Sequence, residues 1–149
     1  MTRILTSALV LAALGGPSFA GGGQGDEKEK KPDHTIEILR EEGRIVFREK
    51  DKPRGKGKPR AVGVVVGETI RWVNRDTEPH TLKCVAEIDG QPAFDTKVIR
   101  PGAHKDVVFN IKMYSGLGGR PAQYVTIKYR ADGHADDEGE LTFLSAARR

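Results

Sequence analysis

The sequence predicts an all-β domain, an antiparallel sandwich or barrel of about eight short strands. Three observations carry that prediction. Short runs rich in Val, Ile, Thr and aromatic residues recur along the chain, each ended by Gly, Pro, Asp or Asn. In the clearest run, Thr69-Ile70-Arg71-Trp72-Val73-Asn74, Ile70 and Trp72 fall on one face and polar residues on the other, the period of a half-buried strand. Beyond the N-terminal apolar run, no segment sustains a 3.6-residue apolar period.

The elements follow in order. Arg3, the mostly apolar run Ile4 to Leu14, Pro17 and the small residues of Ser18-Phe19-Ala20 read as a secretory signal peptide, residues 1–20, cleaved after Ala20. That run is too short for a membrane span, and no other stretch is long and apolar enough for one. The expected location is therefore the periplasm or the cell exterior. Gly21 to Asp33, three glycines followed by a charge run and Pro32, reads as a disordered linker, because such a stretch cannot bury enough apolar surface to offset its ordering entropy. One domain remains, residues 34–145. Its expected strands are Thr35 to Leu39, Arg44 to Arg48, Val62 to Val66, Thr69 to Asn74, His80 to Ile88, Asp106 to Ile111, Gln123 to Tyr129 and Glu140 to Leu144. Cys84 is the sole cysteine, so an intrachain disulfide is excluded and the apolar core must hold the domain.

Four segments recur in a known order. They are Val66-Gly67-Glu68-Thr69-Ile70-Arg71-Trp72-Val73-Asn74 followed by His80, then Phe94-Asp95-Thr96, then Ile99-Arg100-Pro101-Gly102, and finally Tyr129-Arg130-Ala131-Asp132-Gly133-His134 through Gly139 and Leu141. Together, over roughly Val62 to Phe143, they resemble the cupredoxin family, the blue copper proteins related to plastocyanin and azurin. The resemblance implies a Greek-key β-sandwich with a metal site at one pole. It also implies a histidine ligand at His80 and a late Cys…His…Met loop in which His134 is the second histidine.

Two ligand positions of that loop depart from the pattern. Ala131 stands where the family has its cysteine, and Asp137 where it has its axial methionine. Alanine has no donor atom, and the thiolate supplies the short, covalent bond of a blue centre. Cys84 does not replace it: it lies about 13 Å from His80 along an extended strand, with the parity of a core-facing residue. The resemblance thus implies a degenerate type 1 site. Its remaining donors are His80, His134 and the carboxylate of Asp137, with Asp132, Asp136 and Glu138 nearby. Two imidazoles with a carboxylate suit Cu(II) in a pale, type-2-like site, with Zn(II) or Ni(II) as alternatives. No second catalytic group accompanies them, so the chain is not expected to be an enzyme.

Four features stand outside this pattern. Lys50 to Arg60 alternates six basic residues with Pro and Gly; it reads as a mobile, solvated loop, with contact to an acidic protein or an anionic surface as the alternative. No aromatic residue interleaves that run, which argues against nucleic acid. Cleavage of the leader removes one positive charge, Arg3, from a formal net charge of +4, too modest a balance to demand a polyanionic partner. Lys112 to Ala122 is a glycine-bearing loop that either shields the metal pole or is a tolerated insertion. His34 and His104 read as surface residues. Three functions fit: a secreted copper-binding protein for storage, delivery or scavenging, a metal-free scaffold binding a protein or polyanion, and a copper-dependent electron-transfer protein or enzyme.

Overall fold

Alternation along the chain becomes alternation of burial. In β4 (Thr69–Asn74) Ile70, Trp72 and Asn74 point inward, and in β11 (Glu138–Leu144) Gly139, Leu141 and Phe143 do. The computed structural model describes residues 31–52 and 61–145. The expected signal peptide, residues 21–30 of the linker and residues 53–60 of the basic loop lie outside the described residues.

One sheet has the order β2-β1-β4-β9, with β1 (His34–Glu41), β2 (Arg44–Glu49) and β9 (His104–Val108) around β4. The second has the order β3-β11-β10-β5-β8, with β3 (Val62–Val65), β5 (His80–Cys84), β8 (Asp95–Ile99) and β10 (Tyr124–Ala131) around β11. A small hairpin, β6 (Glu87–Ile88) with β7 (Gln91–Pro92), stands apart. The result is the cupredoxin-like β-sandwich expected from the sequence.

The sheets are mixed rather than antiparallel throughout: β1 pairs with β4, and β3 with β11, in parallel. Parallel neighbours need a crossover, and the chain supplies one by changing sheets between β2 and β3 and again between β3 and β4. The expected run His80 to Ile88 is broken after Cys84. Its register partner, β8, which joins the motif segments 94–96 and 99–102, is itself a strand, with a shift in pairing between Thr81 and Lys83. Asp33, the last residue of the expected linker, is held to Thr69 by two hydrogen bonds of 3.0 and 2.8 Å.

Trp72 is the centre of the core. It is fully buried, with Phe94 at 5.2 Å, Tyr129 at 5.7 Å and Phe109 at 6.3 Å between ring centroids. Each such buried side chain contributes about 1.5–3 kcal/mol by leaving water.

The Lys112 to Ala122 segment is not a plain loop. The strand before it ends at Val108, and α1 (Ile111–Gly116) follows, capped by the Asn110 side chain accepting from the Met113 N–H at 3.0 Å. A helix this short shows less than two periods of any pattern, so only its cap could have announced it. Tyr114 of α1 is buried, and its Oη lies 2.5 Å from the carbonyl oxygens of Arg120 and Gln123. Met113, Tyr114 and Leu117 pack beside Val66, Phe109 and Phe143. Phe143 is near the end of β11, whereas His134 precedes its start, so α1 covers the pole remote from His134 and does not shield it.

Candidate metal site

The near pole is organised by Asn74. Its side chain is fully buried; Nδ2 donates to the carbonyls of Glu78 (2.7 Å) and Ile99 (2.9 Å), and Oδ1 accepts from the Asp76 N–H (2.9 Å). An asparagine at the end of β4 thus folds residues 74–80 into a tight connection between the sheets. That connection places two ionisable side chains in the interior, Asp76 and His80, each with side-chain exposure of 3 %.

His80 Nε2 lies 2.7 Å from Asp76 Oδ2. The same oxygen receives Arg40, whose Nε is at 3.1 Å and whose terminal nitrogen is at 3.0 Å, while Asp76 Oδ1 accepts from the Thr77 N–H at 2.7 Å. Burial by itself would raise the Asp76 pKa. The hydrogen bonds from Arg40, His80 and Thr77 outweigh it and hold the carboxyl at about 2. Asp76 is therefore an anion at any physiological pH. Arg40 continues outward to Glu78, at 2.6 Å.

His134 follows Gly133, whose φ of 81° is the left-handed conformation that glycine adopts without penalty. The turn is closed by the His134 N–H donating to Ala131 O at 3.1 Å and the Asp137 N–H donating to His134 O at 3.2 Å. The His134 ring stands 6.1 Å from the His80 ring, centroid to centroid, at 69°. Two imidazoles bound to one ion through metal–nitrogen bonds of about 2.0 Å can have centroids up to roughly 6 Å apart. The pair therefore stands at the outer limit of a shared ion, where the nitrogen–metal–nitrogen angle has to open towards linear.

Asp137 is the carboxylate beside this pair. Its Oδ2 is 3.5 Å from His134 Nδ1 and accepts from the Ile45 N–H at 2.8 Å, tying the 132–137 loop to the start of β2 in the other sheet. The remaining carboxylates serve the surface. Asp132 pairs with Lys83 at 3.2 Å, Glu138 with Lys128 at 2.7 Å, and Asp136 is exposed. Among the described residues no group of three or more His, Cys, Asp or Glu side chains is arranged to hold a metal ion. Ala131 is buried opposite Leu82. Cys84 is buried opposite Tyr129, and burial pushes its thiol pKa up, as expected for a core cysteine.

The structure places the His80 and His134 rings side by side, 6.1 Å apart. It adds Asp76 and Arg40, which sequence reasoning missed. The signal available was a carboxylate two residues after the core asparagine and four before the histidine. His34 is not the surface residue expected: it is half-buried between Glu49 (Nδ1, 3.2 Å) and Glu68 (Nε2, 3.0 Å), joining β1, β2 and the turn before β4.

No family model and no curated protein matches the sequence. Among solved structures, the chain is similar to the Cu(I) form of an amicyanin mutant, with 16% identity, a TM-score of 0.49, and 80% of this chain and 87% of that one covered. It is also similar to a purple cupredoxin from Nitrosopumilus maritimus, with 19% identity, a TM-score of 0.47, and 74% and 99% coverage. These likenesses concern the fold.

Proposed function

We propose that this chain is an extracytoplasmic copper-binding protein of cupredoxin-like fold. It would hold Cu(II) through the imidazoles of His80 and His134 as a pale, type-2-like centre, for storage, delivery or scavenging of the metal. The observation that carries this reading is the convergence of the two rings, 6.1 Å apart, from loops of different sequence origin at one pole. The donor chemistry supports the rest. With Ala131 at the thiolate position and Cys84 buried opposite Tyr129, the set is nitrogen and oxygen, which suits oxidised copper. Asp137 is the carboxylate in reach, and its ligation would compete with the hydrogen bond it accepts from Ile45.

Titration of the purified domain with Cu(II), followed by optical and electron-paramagnetic-resonance spectra, tests this. One tight equivalent with weak visible absorption and nitrogen hyperfine structure is expected, lost in His80→Ala and in His134→Ala. Asp137→Ala separates a ligand from a loop clamp: a changed spectrum makes it a ligand, an unchanged spectrum with lower stability makes it a clamp. An intense band near roughly 600 nm, the mark of a copper–thiolate bond, would refute the reading.

A second reading, a metal-free scaffold that binds an anionic partner, is favoured by one feature. Lys50, at the start of the basic loop, shares a groove of about 470 Å³ with Lys31, Asp51, Arg71, Arg75 and His104. Salt-sensitive retention on an anionic matrix, unchanged in His134→Ala, together with no specific Cu(II) binding, would select it. A copper-dependent electron-transfer role requires reversible reduction of the bound metal, which voltammetry of the loaded protein decides.

A further inference from the structure

At the end of the sandwich opposite Arg40 and His80, the core layer closes on ions rather than on apolar side chains. Along β1, His34 has the parity of the buried Ile36 and Ile38; along β2, Glu49 has the parity of Ile45 and Phe47. We propose that His34 is a pH-sensitive clasp. As an imidazolium it donates to Glu49 and Glu68 at once, tying the start of β1 to the end of β2 and to the turn between β3 and β4. On losing one proton to water it keeps Glu49 and releases Glu68. None of these groups belongs to the His80–His134 pole, so the clasp stands apart from the copper reading.

A carboxylate stands at each ring nitrogen. His34 Nδ1 is 3.2 Å from Glu49 Oε1, and Nε2 is 3.0 Å from Glu68 Oε2. An ionised carboxylate only accepts, and a neutral imidazole has one donor nitrogen and one acceptor. Both contacts are therefore hydrogen bonds only while the ring carries both protons. With one proton gone, a lone pair faces a carboxylate. Because the two carboxylates lie on opposite nitrogens, they cannot share one metal ion with the ring. The surroundings decide which contact yields. Glu49 is the more buried, with side-chain exposure of 14% against 32% for Glu68, and its other oxygen holds Lys52 Nζ at 2.6 Å. Glu68 can turn to water, and the Val65 N–H, which donates to its Oε2 at 2.7 Å, then loses that acceptor. The turn keeps its backbone bonds to Phe109: the Gly67 N–H donates to Phe109 O at 2.6 Å and the Phe109 N–H to Glu68 O at 3.0 Å. Opening of the clasp is therefore local.

The other charged groups at this junction are carboxylates, a lysine and a phenol. Asp33, beside His34, accepts from the Thr69 N–H at 2.8 Å, and Lys52 holds Glu49. Tyr129, from β10, lies in the field of Glu49, and burial pushes its phenol pKa far up. Carboxylates, lysines and phenols ordinarily keep their charge between about pH 5.5 and 8.5, whereas imidazole ordinarily changes its own there. A pairing that needs the cation is present on the acid side of that window and is lost as pH rises through it. The clasp sits where the N-terminal segment enters the sheet and the basic loop leaves it: the Lys50 N–H donates to Thr35 O at 2.9 Å, and the Asp33 N–H to Thr69 O at 3.0 Å.

The test follows the His34 ring by ¹⁵N nuclear magnetic resonance from about pH 5.5 to 8.5, with urea unfolding and amide hydrogen exchange on the same samples. Both ring nitrogens should carry protons at the acid end, and the neutral ring should be the Nδ1–H tautomer. The ratio of unfolding constants, His34→Gln over wild type, should fall about fivefold across the window, in step with the ring's own titration. Protection of the Val65 amide should fall with it, measured against the Cys84 amide, which donates to Phe94 O at 3.0 Å away from the junction. Glu68→Gln should abolish that step at Val65, because an amide can accept from the Nε2–H or donate to its lone pair. This variant also serves if His34→Gln does not fold. A constant ratio while the ring titrates, or a Val65 amide indifferent to the titration, overturns the proposal. So does a neutral ring protonated at Nε2, a pH step that persists in Glu68→Gln, or a ring that holds both protons up to about pH 8.5, which would make the junction a fixed bridge.

Discussion

Gly139→Ala should destabilise this domain severely, although it adds one methyl group to a strand. Gly139 faces Tyr129 across the β10–β11 pair, and the Tyr129 ring lies over it. An ideal Cβ at Gly139 would be 2.2 Å from Tyr129 Cζ, 2.5 Å from Oη and 2.7 Å from Cε1. Carbon atoms rest about 3.5–4.0 Å apart, so the ring would have to move by more than about 1 Å. It has nowhere to go: Phe47 is at 4.8 Å, Trp72 at 5.7 Å and Phe94 at 6.1 Å, centroid to centroid, and Tyr129 is 1% exposed. Overpacking costs about 1–3 kcal/mol where neighbours can yield, so a site walled by three aromatic rings should stand at the upper end, about 3 kcal/mol. With a urea m-value of about 1–3 kcal/mol/M, the midpoint should fall by roughly 1–3 M at unchanged m. The same substitution in a Tyr129→Leu background should cost much less, because the blocking ring atoms are gone. A loss under about 0.5 kcal/mol, or equal losses in both backgrounds, would refute the reasoning. In this chain Gly139 thus makes room for the buried Tyr129 ring.

Two further predictions concern ionisation and the thiol. Asp76 has its pKa lowered from 3.8 to about 2, so its pairing stabilises the fold above about pH 4 and is lost as pH falls through about 2. The contribution is at most about 2 kcal/mol, reduced by solvent around the partly exposed Arg40. Asp95 and Asp106 are lowered too, chiefly by hydrogen bonds from Lys97 and Arg71, so their pairing also stabilises the fold less as pH falls. Urea midpoints of Arg40→Gln and wild type should therefore converge as pH drops from about 7 towards 2, and parallel curves would show that Arg40 does not hold Asp76. Cys84 should resist a thiol reagent in the native state and react once the protein unfolds. Cys84→Ala should leave the Cu(II) spectrum unaltered, and loss of a visible band in that variant would place the thiol at the metal.

Local order determined what could be read from the sequence. Alternation in Thr69–Asn74, the turn residues and the spacing from Asn74 to His80 and from Tyr129 to His134 are set by neighbours in the chain, so they specified most strands and the sandwich and marked His80 and His134 as candidates. Short elements escaped, because α1 and β8 show too little of any period to stand out. The surroundings of the histidines escaped for a different reason. Arg40 meets Asp76 across 36 residues, and Ile45 meets Asp137 across 92. Both contacts exist because the β1–β2 hairpin of one sheet is stacked over the pole where loops 74–80 and 132–137 emerge. Whether a carboxylate near a histidine is a ligand, a clamp or an orienting group depends on which donors the opposite sheet brings to it, and that was decided only when the two sheets closed.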